Sequence, residues 1–440
     1  MSTATQITAT DTALSGEFVR VRHATEQLAR PLNAEDMMLQ SMPDASPAKW
    51  HLAHTTWFFE TFILRQHLRG YRVFNDDFLR VFNSYYKQVG DHPNRAMRGL
   101  FSRPTLDEVV AYRQHVERGM AQLLQGEASA AAESLLTLGM NHEQQHQELM
   151  VTDIKHAFWS QPLQPAYHHQ PRSRNKEQAI AASPGDCKWI PFRGGIHGIG
   201  FSGDGFCFDN ETPQHQTLLR PFRLASRLVT NAEYLEFIRS GAYSEPSLWL
   251  SEGWDTIVRE QWHAPLYWER DQADGWRVFT LHGWQPLDLA APTCHISYFE
   301  ADAFARWSGA RLPLESEWEI AARERAVPIA GNFSESGLLH PRASGQGGAL
   351  QQMYGDVWEW TASPYTAYPG FVQAAGAIGE YNGKFMCNQY VLRGGSCATP
   401  QSHIRASYRN FFPAHARWQF SGIRLASDGD TVRRNNDDER

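Results

Sequence analysis

A chain of 440 residues with 42% apolar and 12% aromatic residues, 15 of them Trp, is too long for one ordinary core and rich enough to bury two or more. A net charge of -7 without long like-charge blocks excludes the basic footprint of a nucleic-acid or anionic-membrane binder, and no uninterrupted apolar run of about 18 residues offers a membrane span. The polar start MSTATQITATDTALSG lacks the basic and apolar regions of a signal peptide. The cysteines Cys187, Cys207, Cys294, Cys387 and Cys397 are odd in number without a C-x-x-C, so reduced thiols in a cytoplasmic protein are expected.

From residue 15 to 160 the pattern is helical. EFVRVRHATEQLARPL, WHLAHTTWFFETFILRQHL, TLDEVVAYRQHVERGMAQLL and AAESLLTLGMNHEQQHQELMVTDIKHAF each carry apolar residues three to four apart. Four such segments predict an antiparallel bundle, whose core is a usual place for a metal. Residues 161–185, rich in Gln, Pro and Ser, read as a linker. Residues 186–428 turn Gly- and Trp-rich, with strand-like runs in KWIPFRGGIHGIGF, RPFRLASRLV and QYVLRGGS and helical stretches in TNAEYLEFIRSG and SYFEADAFARWSG. They predict a compact α+β domain, followed by a polar tail over 429–440.

The fourth helical segment contains His142-Glu143-Gln144-Gln145-His146, a literal H-E-x-x-H, the pattern of zinc peptidases. Residues i and i+4 lie on one helical face ~6 Å apart along the axis, so His142 and His146 can share an ion. Glu148 lies ~200° around the helix from His146, and His156 lies ~15 Å beyond it, so neither completes the set. A peptidase takes its third ligand downstream, but Leu149 and Thr152 stand where the extended motif needs Gly and His, and no glutamate occurs between Glu148 and Glu177. Upstream, His54 shares a helical face with Trp50, Trp57 and Phe58, whereas His51 sits toward the flank. These spacings predict an open three-histidine site in the bundle. They do not choose the metal, because imidazole suits Zn, Cu, Fe and Ni alike.

The run ISYFEADAFARWSGARLPLESEWEIAAR, then GDVWEWT, VLRGGS and SGIRLA, resembles the formylglycine-generating-enzyme-like (sulfatase-modifying factor) domain, a variant of the C-type lectin fold. Joined to a DinB-like bundle carrying LAH and H-x-x-x-H-x-E, the chain resembles the ergothioneine-biosynthetic sulfoxide synthases, the EgtB family, over residues 15 to 428. The resemblance implies a multidomain α and α+β fold. It also implies an Fe(II) enzyme that uses O2 to join the sulfur of a cysteine-type thiol to imidazole C2 of hercynine (trimethylhistidine), with no nucleic-acid or membrane partner.

By the same resemblance His54, His142 and His146 are the ligands, Gln145 contacts the bound imidazole, and Glu143 becomes an ordinary residue of the helix surface or a support for the ligands. The adjacent phenols of Tyr85 and Tyr86 are the implied proton donors. In one subgroup that tyrosine lies in the second domain just before the residue that Tyr381 matches, and Ile378 stands at its place here. Asn410, Phe411 and Phe412 are similar to the segment holding the trimethylammonium group, a cation suited to aromatic faces, and Arg95, Arg98 and Arg103 are candidates to clamp a substrate carboxylate. Phe412 stands where subgroups using γ-glutamylcysteine carry Asp, which implies free cysteine as the thiol. The alternatives are an ovothiol-type 5-histidylcysteine sulfoxide synthase, a selenoneine-forming enzyme, and a non-catalytic lectin-like module on a metal-binding bundle. The first usually carries a methyltransferase, and no nucleotide loop follows residue 428.

Overall fold

The computed structural model describes residues 9–126, 128–168, 186–271, 275–345 and 348–429. Most of the expected linker and nearly all of the expected tail lie outside them. The chain divides into two compact units, one of residues up to His168 together with Ala374–Tyr381, the other of His169–Gln373 and Asn382 onward. The segment Ala374–Tyr381 therefore belongs to the helical unit, although the sequence boundaries assign it to the second domain.

The helical unit contains α1 (Ala9–Ala29), α2 (Ala48–Phe59), the short α3 (Arg65–His67) and α4 (Phe78–Val81), α5 (Leu106–Leu124) and α6 (Ala130–Ser160). Every residue of α2 is buried, the signature of a helix packed on all sides; α2 packs against α5 and α6, and α1 packs against α6. Directly after α2 a π-helical turn, Glu60–Leu64, buries Glu60, whose carboxylate accepts from the Tyr71 and Tyr112 hydroxyls at 2.7 Å each. The α5 start is a capping box, with Thr105 and Glu108 satisfying each other's backbone N–H. Gly139 brings α6 against α2: an added Cβ would stand 2.6 Å from Phe59 Cε1 and 3.1 Å from the Phe58 ring. Among the described residues no helix is long and apolar enough to cross a membrane.

The second unit holds β1 (Trp189–Phe192), β2 (Gly195–Ile199), β3 (His215–Leu219), β4 (Phe222–Ala225), α7 (Asn231–Arg239), α8 (Ser251–Arg259), β5 (Trp268–Arg270), β6 (Trp276–Thr280), β7 (Gly283–Pro286), α9 (Tyr298–Trp307) and α10 (Glu315–Glu324). It continues through β8 (Trp358–Pro364), β9 (Gln389–Arg393), β10 (Asn410–Pro413), β11 (Ser421–Gly422) and β12 (Ala426–Asp428). The strands form small sheets ordered β1-β4-β12, β10-β9-β8-β11, β2-β3 and β5-β6-β7. This matches the expected α+β texture, with α8 and α10 as helices that the periodicity alone did not mark. Charged groups anchor its core: Arg424 bonds both oxygens of fully buried Glu359, and Glu315 receives Arg393 and Arg409.

Candidate metal centre

α2 contributes His54 and α6 contributes His142 and His146, and one donor nitrogen from each lies within 4.8 Å of the others. The four-residue spacing on α6 aligns its two imidazoles, as expected, and α2 supplies the third across the bundle core. The rings are 4.6 to 5.0 Å apart between centroids. His54 Nδ1 donates to the Phe82 carbonyl at 2.7 Å, which leaves Nε2 unprotonated; that atom is buried with no hydrogen-bond partner among the described residues, as are both nitrogens of His142. A buried polar atom left unpaired costs about 1–3 kcal/mol, and a cation bound to these lone pairs would remove that cost. The donor set therefore fits a divalent ion.

The electrostatics agree. Burial pushes the His142 imidazole down to about 3, and burial followed by the neighbouring imidazoles holds His54 and His146 well below the usual histidine range. All three present neutral nitrogens at neutral pH, the form a metal requires. Trp50 stacks on His54 at 4.5 Å, and the Arg98 guanidinium lies 3.4 Å over the other part of that stack, the Trp50 ring.

Glu143 corrects one expectation. It is not on the helix surface: it has no exposed area, and its carboxylate receives Arg22 and Arg113 at 2.9 Å each and the Thr25 hydroxyl at 2.7 Å. Burial alone would raise this carboxyl, but the two guanidiniums outweigh it and hold it down to about 2. Glu143 thus ties α1 and α5 to α6, and a carboxyl held that low is a poor base toward a water on the metal. The peptidase reading loses its general base as well as its third ligand.

Three phenols, Tyr85, Tyr86 and Tyr381, lie together, and Tyr381 touches a ligand histidine. Tyr85 and Tyr86 stack at 4.6 Å, with hydroxyls 3.5 Å apart, and Tyr86 is fully buried against Trp57 and Phe62. Burial and then Tyr85 and Tyr381 push the Tyr86 phenol well above its ordinary range, so it stays protonated. Tyr381, on the segment that joins the helical unit, packs edge-on to His142 at 5.5 Å and donates to Gln145 Oε1. Arg98 is buried, with one nitrogen on Ser46 Oγ and another on Ser84 Oγ, both at 2.9 Å. Arg95 and Arg103 are exposed and donate to backbone carbonyls.

In the second unit, Asn410, Phe411 and Phe412 form β10, paired to β9. Strand alternation sets Asn410 and Phe412 on one face and Phe411 on the other, where Phe411 stacks on Tyr365 at 4.0 Å. Phe411 is half-buried there. Sequence reading missed the holders of Glu143, namely Arg22, Thr25 and Arg113, and the engagement of His51 with Asp153. The spacing did carry one signal: Asp153 is seven residues beyond His146, within ~20° of the same helical line.

Comparison with known proteins places these features in a family. The DinB superfamily matches residues 17–150, and the sulfatase-modifying factor enzyme 1-like domain matches residues 170–429. The hercynine oxygenase of Mycolicibacterium thermoresistibile is 32% identical over 315 residues, covering 66% of this chain and 68% of that protein. That of Mycobacterium tuberculosis is 35% identical over 256 residues, covering 53% and 59%. Ergothioneine biosynthesis protein 1 of Schizosaccharomyces pombe is 28% identical over 237 residues, covering 51% and 28%. The alignments thus span little more than half to two thirds of the two bacterial relatives and a smaller share of the yeast one. The chain, a DinB-superfamily bundle followed by a sulfatase-modifying factor enzyme 1-like domain, belongs to the family of the hercynine oxygenases.

Proposed function

We propose that the protein is an O2-dependent non-haem Fe(II) sulfoxide synthase that joins the sulfur of cysteine to imidazole C2 of hercynine, a step of ergothioneine biosynthesis. The observation that carries this reading is the buried cluster of three neutral imidazoles, His54, His142 and His146, in a chain of the hercynine oxygenase family. The reaction balances as thiol plus imidazole plus O2 giving sulfoxide plus water. The S–H and C2–H bonds break, the C–S bond forms, one oxygen atom goes to sulfur and the other leaves as water. Iron held by His54, His142 and His146 would supply the redox chemistry with dioxygen.

The chain's own residues then have distinct tasks. His54, His142 and His146 hold the ion without neutralising its charge. Gln145, beside His142 on α6, is assigned to the hercynine imidazole, with Tyr381 fixing its amide. Tyr86 holds a protonated phenol, kept from bulk water by burial, for the reduction of dioxygen, and half-buried Tyr85, its hydroxyl 3.5 Å from that of Tyr86, is assigned to the same task. Asn410 and Phe412, on one face of β10, are assigned to the trimethylammonium end of hercynine, which an aromatic face attracts without needing an N–H donor. Arg95 and Arg103 remain candidates for the carboxylate of the thiol substrate, since the Arg98 fork is already engaged by two serine hydroxyls.

Free cysteine is favoured over γ-glutamylcysteine because Phe412 offers no carboxylate to a donor ammonium. That omission forgoes a charge-assisted hydrogen bond of ~1.5–3 kcal/mol, about ten- to a hundredfold in specificity. The test is anaerobic Fe(II) loading followed by hercynine, O2 and either thiol, with products followed by mass spectrometry. We expect a sulfoxide of hercynine with kcat/KM for cysteine at least about tenfold higher. Absence of any C–S product with both thiols overturns the reaction, and equal use of γ-glutamylcysteine overturns the thiol assignment.

A further inference from the structure

His51 lies one helical turn before His54 on α2 and is only 2% exposed. It lies outside the three-histidine cluster, and both its ring nitrogens are engaged. Nδ1 is 2.8 Å from Nδ1 of His146, and Nε2 is 3.0 Å from Oδ2 of Asp153. That same Asp153 oxygen accepts the Ser46 backbone N–H at 2.8 Å.

The direction of each proton follows from these contacts. A backbone N–H can only donate, so Oδ2 of Asp153 acts as an acceptor, and the second group facing it, His51 Nε2, donates. In a neutral imidazole the other nitrogen then carries a lone pair and can only accept. His146 Nδ1 must therefore carry its proton and donate to His51, which leaves His146 Nε2 unprotonated. Without an acceptor at His51 nothing in this contact chooses between the two tautomers of His146, and one of them offers an N–H where a lone pair is needed.

We propose that Asp153 and His51 form a positioning relay that fixes the tautomer and ring orientation of His146 for metal binding; this rests on the reading of His54, His142 and His146 as ligands. The relay crosses the bundle twice. Asp153 and His146 share a face of α6, and His51 reaches both from α2, so the ligand from one helix is oriented by the helix that carries another ligand. His54 receives the equivalent instruction from a backbone carbonyl, that of Phe82. The H-x-x-H of HLAH thus divides into a positioning residue, His51, and a ligand, His54. Partners of this kind typically alter metal affinity by about 10- to 100-fold when removed.

The experiment uses Co(II) as the probe on the full chain. Its dissociation constant is measured by competition with a chelator and its visible spectrum recorded for wild type, His51→Phe, His51→Asn and His54→Ala, with circular dichroism and Tm verifying the fold. We expect His51→Phe, which keeps a ring but no acceptor, to bind Co(II) about 10- to 100-fold more weakly with a changed spectrum. His51→Asn, whose amide oxygen sits near the position of Nδ1, should recover most of the affinity and the wild-type spectrum. Wild-type affinity and spectrum in His51→Phe overturn the relay. A readout independent of any variant is the nitrogen NMR of histidine-labelled wild type loaded with Zn(II): His51 protonated on Nε2 supports the relay, and protonation on Nδ1 overturns it. A His54→Ala protein that binds Co(II) as tightly as wild type overturns the metal centre itself, which separates that failure from failure of the relay alone.

Discussion

Burial separates two side chains that stand next to each other in the H-E-x-x-H run. Among the described residues His142 is buried without a hydrogen-bond partner, while Glu143 is buried with three. Replacing Glu143 by Gln removes the fully buried carboxylate that Arg22 and Arg113 share and leaves them the half-buried Glu117, and breaking a buried pair costs about 3–5 kcal/mol. Urea denaturation of the metal-free Glu143→Gln protein should register a loss of that size, far above the effect of a surface glutamate. The phenols make a second case. Joint replacement of Tyr85 and Tyr86 by Phe keeps their ring packing, so Tm and metal content should hold. Proton delivery should fail, and mass spectrometry should find less sulfoxide and more simple thiol oxidation to sulfinate. Wild-type product ratios in that variant would return both tyrosines to packing alone.

Between elements, the approach of α2 to α6 sets the spacing of the histidines, and Gly139 permits it. In an exposed helix Gly139→Ala would gain about 1 kcal/mol from helix propensity. Here the new methyl would stand 2.6 Å from the Phe59 ring, and overpacking costs about 1–3 kcal/mol. The clash equals or exceeds the gain. We expect Gly139→Ala to lower Tm slightly rather than raise it, and to weaken metal binding more than stability, because separating the two helices parts His54 from His142 and His146. Calorimetry and metal titration on one preparation measure both effects.

Over the molecule as a whole, pH should act through buried carboxylates that are paired. Burial alone would raise the Glu315 carboxyl, but Arg409 and Arg393 outweigh it and hold it below its ordinary value of about 4.5. A carboxyl whose folded value is depressed contributes stability that is fully present above about 4.5 and is lost as pH falls through the folded value. The unfolding free energy of the second unit should therefore decline as pH drops below about 4.5. Glu315→Gln should be less stable at neutral pH and show a flatter acid limb, measured by denaturant unfolding at a series of pH values. An acid limb as steep as that of wild type would assign the pH dependence to other groups.

Four helices, the α+β texture and the pairing of His142 with His146 could all be read from periodicity, because apolar spacing reports which face of a helix is buried. His54 was legible for the same reason: Trp50, Trp57 and Phe58 mark its face as the inward one. Phe411 and Phe412 are adjacent aromatics whose different surroundings followed only from the strand that carries them. Pattern could not reveal that Glu143 is enclosed, since that depends on Arg22 and Arg113 arriving from two other helices, or that Ala374–Tyr381 joins the helical unit from more than two hundred residues away. Nor could it show that His51, toward the flank of the same helix, meets His146 and Asp153. Local sequence determines which groups can share a face; which of them find a carboxylate, a carbonyl or no partner at all is decided by the packing of distant segments, because proton direction and burial belong to the assembled surroundings rather than to the residue.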